Sequence, residues 1–331
     1  MKMKKFVAVL IGAVMCLSLA ACNDGSNIEK KAGEKTSTKQ TDSSDAAYSV
    51  GVAFQDVTNP LFASVSEYMT KKGKEKGWDV TVLDCQGNAS TQISQVENFI
   101  EKSVDALVIY PADVEALTPI CKRASEAGIK ILSWDENMDS ANMAYLVGNY
   151  EVGQAIGKET ADWINEKYPD GCEVAVIDYA TLPVIVERAN GIVDAIKEHA
   201  PNAKIVAQDS ALNAAEGMTL AENMLQAHPN IKAFACIGDG SGIGVNEALK
   251  AAGVNLDEYG VFACDATEEA CAAISRGEAI RMSINLGTPE EMADKALECA
   301  ETMLTSDDYE KEVYKTITPV NAENINEYYT K

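Results

Sequence analysis

Six aspartates directly follow short apolar runs: Asp84 after TVL, Asp135 after ILSW, Asp178 after VAVI, Asp209 after IVAQ, Asp239 after FACIG and Asp265 after VFAC. An ionised carboxylate at such a place either caps the helix that follows or accepts charge-assisted hydrogen bonds from a ligand's hydroxyl groups. Asp84, Asp178 and Asp209 are read as caps, while position alone leaves both readings open for Asp135, Asp239 and Asp265. Gln55 and Asn59 supply further polar groups after the first apolar run. A pair such as Asp135 and Asp265 is also the residue type of glycoside hydrolysis. The chain has no base–nucleophile constellation, however, and binding without catalysis is the expected role. Only two histidines, His199 and His228, are present. A zinc site needs clustered His and Cys, so neither a metal nor a cofactor is expected. GDGSGIG (238–244) lacks the G-x-G-x-x-G spacing of a dinucleotide loop and the G-x-S-x-G register of a nucleophile elbow. The run from Asp135 to Asp139 opens like a calcium loop but has Ser140 at its sixth place and Leu146 at its twelfth.

These aspartates need strands before them and helices after them, and the pattern supplies both. Apolar runs at 48–54, 78–84, 105–111 and 129–135 alternate with amphipathic stretches, a longer one spans 148–168, and the rhythm restarts at 172–178, 203–209, 231–239, 259–265 and 279–285. A last strand is expected over 313–320. Such alternation predicts α/β architecture with parallel sheets covered on both faces, here two doubly wound parallel-sheet lobes. Ligands of such sheets bind beyond the carboxyl ends of the strands.

The chain of 331 residues has a net charge of −23. A surface this acidic repels phosphate backbones and anionic lipid, which excludes nucleic-acid binding. Of nine cysteines, seven lie beyond residue 47 with no CxxC pair, several inside apolar runs where a thiol packs as a small hydrophobe. An exported chain with that many unpaired thiols suits a reducing habitat.

The first residues have the composition of a signal peptide: Lys2, Lys4 and Lys5, then an apolar stretch from Phe6 to Ala20 broken only by Gly12 and Ser18. At roughly 15 residues that stretch is too short to span a bilayer comfortably. The ending Leu19-Ala20-Ala21-Cys22 resembles a bacterial lipobox, which implies cleavage after residue 21 and lipid attachment at Cys22. Residues 22–47 are polar and read as a disordered tether.

From Tyr48 onward the chain resembles the sugar-binding proteins of ABC importers, the ribose-binding protein family. VAFQDVTNPLF, DCQGNASTQISQVENFI, DALVIYPAD, ILSWDENM, GNYEVGQAIGKETADWI, ERANGIVDAI, AENMLQAHPNIKAFACIGD, CDATEEACAAISRGE and TPVNAENINEYY carry the resemblance, in family order. It implies a type I periplasmic binding protein with a three-segment hinge: lobe one over 48–149 plus 288–315, lobe two over 150–287 plus 316–331. It also implies a cleft that closes on the ligand, an importer permease as partner, and a monomer on the outer face of the cell membrane, in a Gram-positive cell or a periplasm. The residues that match the family's motifs are Asn59, Phe62, Asp135, Arg188, Asp239 and Asp265, and the resemblance implies that all six contact the ligand.

Departures from ribose-binding protein are as informative. Leu61 stands for a Phe, Glu136 for an Arg, Val186 for an Arg, Leu212 for a Phe, Gly238 for an Asn and Gly287 for a Gln. Asn285 lies close enough to replace that Gln. Trp134 and Tyr179 could supply aromatic planes for the C–H face of a sugar, with strand core as the other reading of Trp134. Asp135, Glu136, Asp239 and Asp265 against one Arg188 imply an acidic cleft suited to a polyol, an amino sugar or another cation-bearing ligand. The same fold also serves ligand-presenting sensory proteins that dock a receptor or histidine kinase. A related repressor is disfavoured, because an exported tether stands in place of a DNA-binding headpiece.

Overall fold

The chain is described as a computed structural model covering residues 46–57 and 59–330. The expected signal segment (1–21), Cys22 and all but the last two residues of the expected tether lie outside the described residues.

The first sheet is built from β1 (Ser49–Phe54), β2 (Asp79–Asp84), β3 (Ala106–Ile109), β4 (Lys130–Trp134) and β5 (Met143–Leu146), with α1 (Pro60–Glu75), α2 (Ala89–Glu101) and α3 (Val114–Glu126) between them. The chain then runs through α4 (Asn149–Lys167) into a second set: β6 (Glu173–Asp178), α5 (Pro183–His199), β7 (Lys204–Ser210), α6 (Ala214–Ala227), β8 (Ile231–Cys236), α7 (Asp239–Ala251), β9 (Gly260–Cys264), α8 (Glu268–Ser275) and β10 (Ile280–Asn285). It closes with α9 (Pro289–Thr305), β11 (Glu312–Tyr314), β12 (Thr318–Asn321) and α10 (Ile325–Tyr328).

The two sheets repeat one plan. Their strand orders are β2-β1-β3-β4-β5-β11 and β7-β6-β8-β9-β10-β12. All pairings are parallel except β12 against β10. Each sheet buries its β-branched strands between two helical layers, as parallel sheets require. Strand order reverses between the first and third strands of each set, which opens a crevice at their carboxyl ends.

The chain passes between sheets three times. After β5 it enters α4, which packs on β8, β9 and β10. After β10 it enters α9, which packs back on β3, β4 and β5. Between β11 and β12 it crosses again. Residues 313–320, expected as one strand, are therefore two. Tyr314 still pairs with Leu146 of the first sheet, while Thr318 pairs with Asn285 of the second. Leu286, on the second crossing, packs against the cores of both lobes.

Close packing of α4 on α5 fixes the second lobe near the crevice. A Cβ on Gly153 would lie 2.0 Å from the Arg188 carbonyl oxygen, and one on Gly191 would lie 2.2 Å from that of Tyr150. Glycine is the only residue that admits this approach of two helix backbones. The approach brings Arg188 of α5 against Asn149, the first residue of α4.

Candidate functional site

The carboxyl end of the first sheet gathers an aromatic group. Phe62, near the start of α1, packs at 5.4 Å on Phe54, 5.2 Å on Tyr110 and 6.2 Å on Trp134 (ring centroids). It stays partly exposed. Asn59 caps α1, its Oδ1 accepting the Leu61 N–H at 2.9 Å. Asp135 follows β4 with φ of 58°, and its N–H donates to the Tyr145 carbonyl at 2.8 Å. Burial and the charges of Asp135 and Glu136 push the Tyr110 phenol up, while the Gln55 side chain, hydrogen-bonded to it, opposes that rise. Gln55, Tyr110, Asp135 and Glu136 thus form one polar group. Partial burial, with Asp135 next in weight, also raises the Glu136 carboxyl.

Lys315 completes this end, and the sequence motifs assign it no role. Its Nζ lies 2.6 Å from Asp135 Oδ1, an ion pair without hydrogen-bond alignment. The same ammonium sits 5.2 Å from the Trp134 ring centroid and 5.7 Å from that of Tyr145, within cation–π range. The expected excess of negative charge is therefore offset at Asp135. A lone lysine in the apolar run VYKTI is the signal in the sequence that points to it.

The carboxyl end of the second sheet presents Asp265 after β9. Its φ is 113°, and its N–H donates to the Ile284 carbonyl at 2.8 Å. Its side chain reaches solvent although protein surrounds most of it. That loss of water raises its carboxyl, and the Arg188 guanidinium opposes the rise. Arg188 itself is nearly buried. Its Nε and Nη2 donate to Asn149 Oδ1 at 3.0 and 2.7 Å, and its Nη1 to the Ile237 carbonyl at 2.7 Å. It therefore ties the start of α4 to the strand end beside Asp265. Leu182, Val184 and Leu212, 46%, 52% and 50% exposed, give this end an open apolar wall with partly buried Tyr179. Asn285 Oδ1 accepts the Gly287 N–H at 2.6 Å, which shapes the second crossing.

Three expected ligand contacts have a different place: Arg188, buried and donating to Asn149 and Ile237, and with it Asp239 and Trp134. Asp239 has no exposed surface; its Oδ1 accepts from Ser283 Oγ at 2.6 Å and its Oδ2 from the Thr267 N–H and Oγ1 at 2.7 and 2.9 Å. It locks the loop that carries Asp265. Trp134 is also fully buried, with Phe54, Phe62 and Tyr145 around its ring and Lys315 over it. Its place is the strand core, the second of the two readings its sequence position allows. The three expected caps differ too. Asp84 accepts the Gln86 N–H, Asp178 accepts from Ser210 and Gln208, and Asp209 accepts the Ser210 N–H. Asn88, Leu182 and Asn213 hold the cap positions instead. No group of three or more His, Cys, Asp or Glu side chains able to hold a metal occurs among the described residues.

Two doubly wound lobes, joined by three crossings and each presenting polar groups at its strand ends, define a solute-binding protein of the type I two-lobed architecture. The chain belongs to the periplasmic binding protein domain family, whose model matches residues 50–308. The ribose import binding protein RbsB of Bacillus subtilis (strain 168) is 28% identical over 319 residues, covering 96% of this chain and 97% of that protein. The myo-inositol binding protein of Caulobacter, solved with myo-inositol, superposes with a TM-score of 0.64 at 25% identity, covering 85% of this chain and 95% of that one. An ABC transporter periplasmic solute binding protein of Actinobacillus succinogenes, solved with D-allose, shares the fold with a TM-score of 0.70 at 24% identity, covering 85% of this chain and 100% of that one. These relatives are binding proteins of transporters, not enzymes.

Proposed function

We propose that the protein is an extracytoplasmic lipoprotein that captures a small sugar or polyol between its lobes and delivers it to an ABC importer. The observation that carries this reading is the matched pair of aspartates, Asp135 and Asp265, one at the end of the fourth strand of each sheet. Each sits among polar groups beside an apolar surface. Hydroxyl groups donate to the carboxylates, and the C–H face of the ligand lies on Phe62 from one side and the Leu182–Leu212 wall from the other. Gln55, Asn59 and Glu136 add contacts from lobe one (48–149 plus 288–315), and Asn285 adds one from lobe two (150–287 plus 316–331). Arg188, Asp239 and Trp134 position these groups. Cys22 carries the lipid that holds the monomer on the outer face of the membrane, within reach of the permease.

Isothermal titration of the purified protein with D-ribose, D-allose, D-galactose, myo-inositol and glycerol tests the cargo. Binding to one of them at about micromolar strength, near −8 kcal/mol, is expected. Heat from none of them, together with heat from an amino acid or peptide, contradicts the reading. Cys22→Ala removes radiolabelled palmitate from the protein if the anchor is where the lipobox puts it.

A further inference from the structure

Lys315 stands on the third crossing, between a strand of each sheet. Its side chain is 5% exposed, against 20% for Asp135, its partner at 2.6 Å. The ammonium therefore sits behind the carboxylate as seen from solvent, held by the Trp134 and Tyr145 rings. The other charged or titratable groups facing Asp135 are Glu136, Tyr110 and Tyr145. None of these supplies a positive charge.

We propose that Lys315 is a specificity-determining positioning residue: by cancelling the charge of Asp135 it makes the lobe-one end of the cleft select neutral hydroxyls over ammonium groups. The inference rests on the sugar or polyol reading and names which members of that class are admitted. A ligand hydroxyl at Asp135 donates to the outward carboxylate oxygen, and the buried ammonium fixes that oxygen's orientation. A ligand ammonium placed there meets a carboxylate already paired and a like charge behind it, so its attraction to Asp135 is largely offset. Without Lys315 the same place holds two uncompensated carboxylates, Asp135 and Glu136. Such a place prefers a cation.

The test pairs neutral probes with amino analogues: D-glucose with D-glucosamine, D-galactose with D-galactosamine, and myo-inositol with its monoamino-deoxy analogue. Affinities are measured for the wild-type protein, Lys315→Met, Lys315→Arg and the double variant Asp135→Asn/Lys315→Met. The wild type is expected to favour the neutral member of the pair it binds by at least about 10-fold, and Lys315→Met to move that ratio by about 10-fold or more towards the amine. Lys315→Arg keeps the wild-type ratio, because the charge is retained. The double variant, which leaves no buried charge unpaired and so folds even where Lys315→Met does not, returns to the wild-type preference for the neutral member, because both charges of the pair are gone. A Lys315→Met protein that loses affinity for both members equally reduces Lys315 to a structural role and overturns the proposal, and so does a double variant that prefers the amine, since no charge of the pair is left to attract it. A wild type that favours the amine overturns it as well, while leaving the sugar-binding reading standing. A wild type that binds no member of any pair, nor any sugar or polyol of the titration panel, overturns both.

Discussion

Asp135 and Asp265 occupy the same place in the two sheets. Each follows the fourth strand with positive φ, 58° and 113°, and each donates its N–H over 2.8 Å to the neighbouring strand, at Tyr145 and Ile284 respectively. Backbone held in a conformation unfavourable for most L residues clusters at functional sites. Here both residues stand where the chain leaves the end of a sheet, Asp135 after β4 and Asp265 after β9. Among common side chains only Asn combines tolerance of positive φ with the shape of Asp.

Asp265→Asn therefore keeps the backbone and removes the charge. Its ligand affinity should fall by roughly 10- to 150-fold, the loss of about 1.5–3 kcal/mol for a hydrogen bond to a charged group, with little change in the unliganded melting temperature. Asp135→Asn should lose comparable affinity and also melt lower, because it leaves the Lys315 ammonium buried without a counter-charge. Calorimetry and thermal unfolding on the two variants separate these outcomes.

Arg188→Lys tests the clamp on Asn149 and Ile237. A single ammonium cannot reproduce two donors to Asn149 and one to Ile237. The variant should lose about 1–3 kcal/mol of stability, a drop of several degrees in melting temperature. Affinity should fall less than for Asp265→Asn, because the positive charge near Asp265 remains. An unchanged melting temperature would show that the clamp does not hold.

Asp239 makes stability depend on pH. Burial pushes its carboxyl from 3.8 up to about 7, with the bonds from Ser283 and Thr267 opposing the rise and the charge of Asp265 adding to it. Between pH 4 and 7 the folded chain holds a proton there that the unfolded chain has released. Protons thus favour the folded state in that window, and the contribution is lost as pH rises through 7. Asp239→Asn carries no titrating group at this place, though it gives up a bond from Thr267. Its melting temperature relative to wild type should therefore improve steadily from pH 4 to pH 8. Parallel curves would show that Asp239 stays ionised across the range.

Much of the fold is legible in the sequence because period and punctuation encode it. Runs such as ILSWD and VFACD mark strand ends, which places Asp135 and Asp265 at the edge of a sheet. Burial is less legible. Asp239 sits after a strand just as Asp265 does, but only tertiary packing reveals that Ser283 and Thr267 occupy its oxygens. β5 escapes a pattern reading because MAYL is four residues with no helix signal between it and the preceding strand. The run 313–320 reads as one strand because an apolar pattern does not say which sheet will accept each half. For the same reason Lys315, at the break, carries no periodic signal of its importance.

The most direct test of the account is a thermal-shift panel of aldoses, cyclitols and short polyols run on the wild-type protein and Asp265→Asn in parallel. Ligand at about 100 to 1,000 times its dissociation constant stabilises a binding protein by roughly 2.7 to 4.1 kcal/mol, several degrees for a chain of this size. The account predicts such a rise for at least one neutral compound on the wild type, and its loss or marked reduction on Asp265→Asn at the same concentration. No rise across the panel, or a rise that Asp265→Asn retains in full, would contradict it.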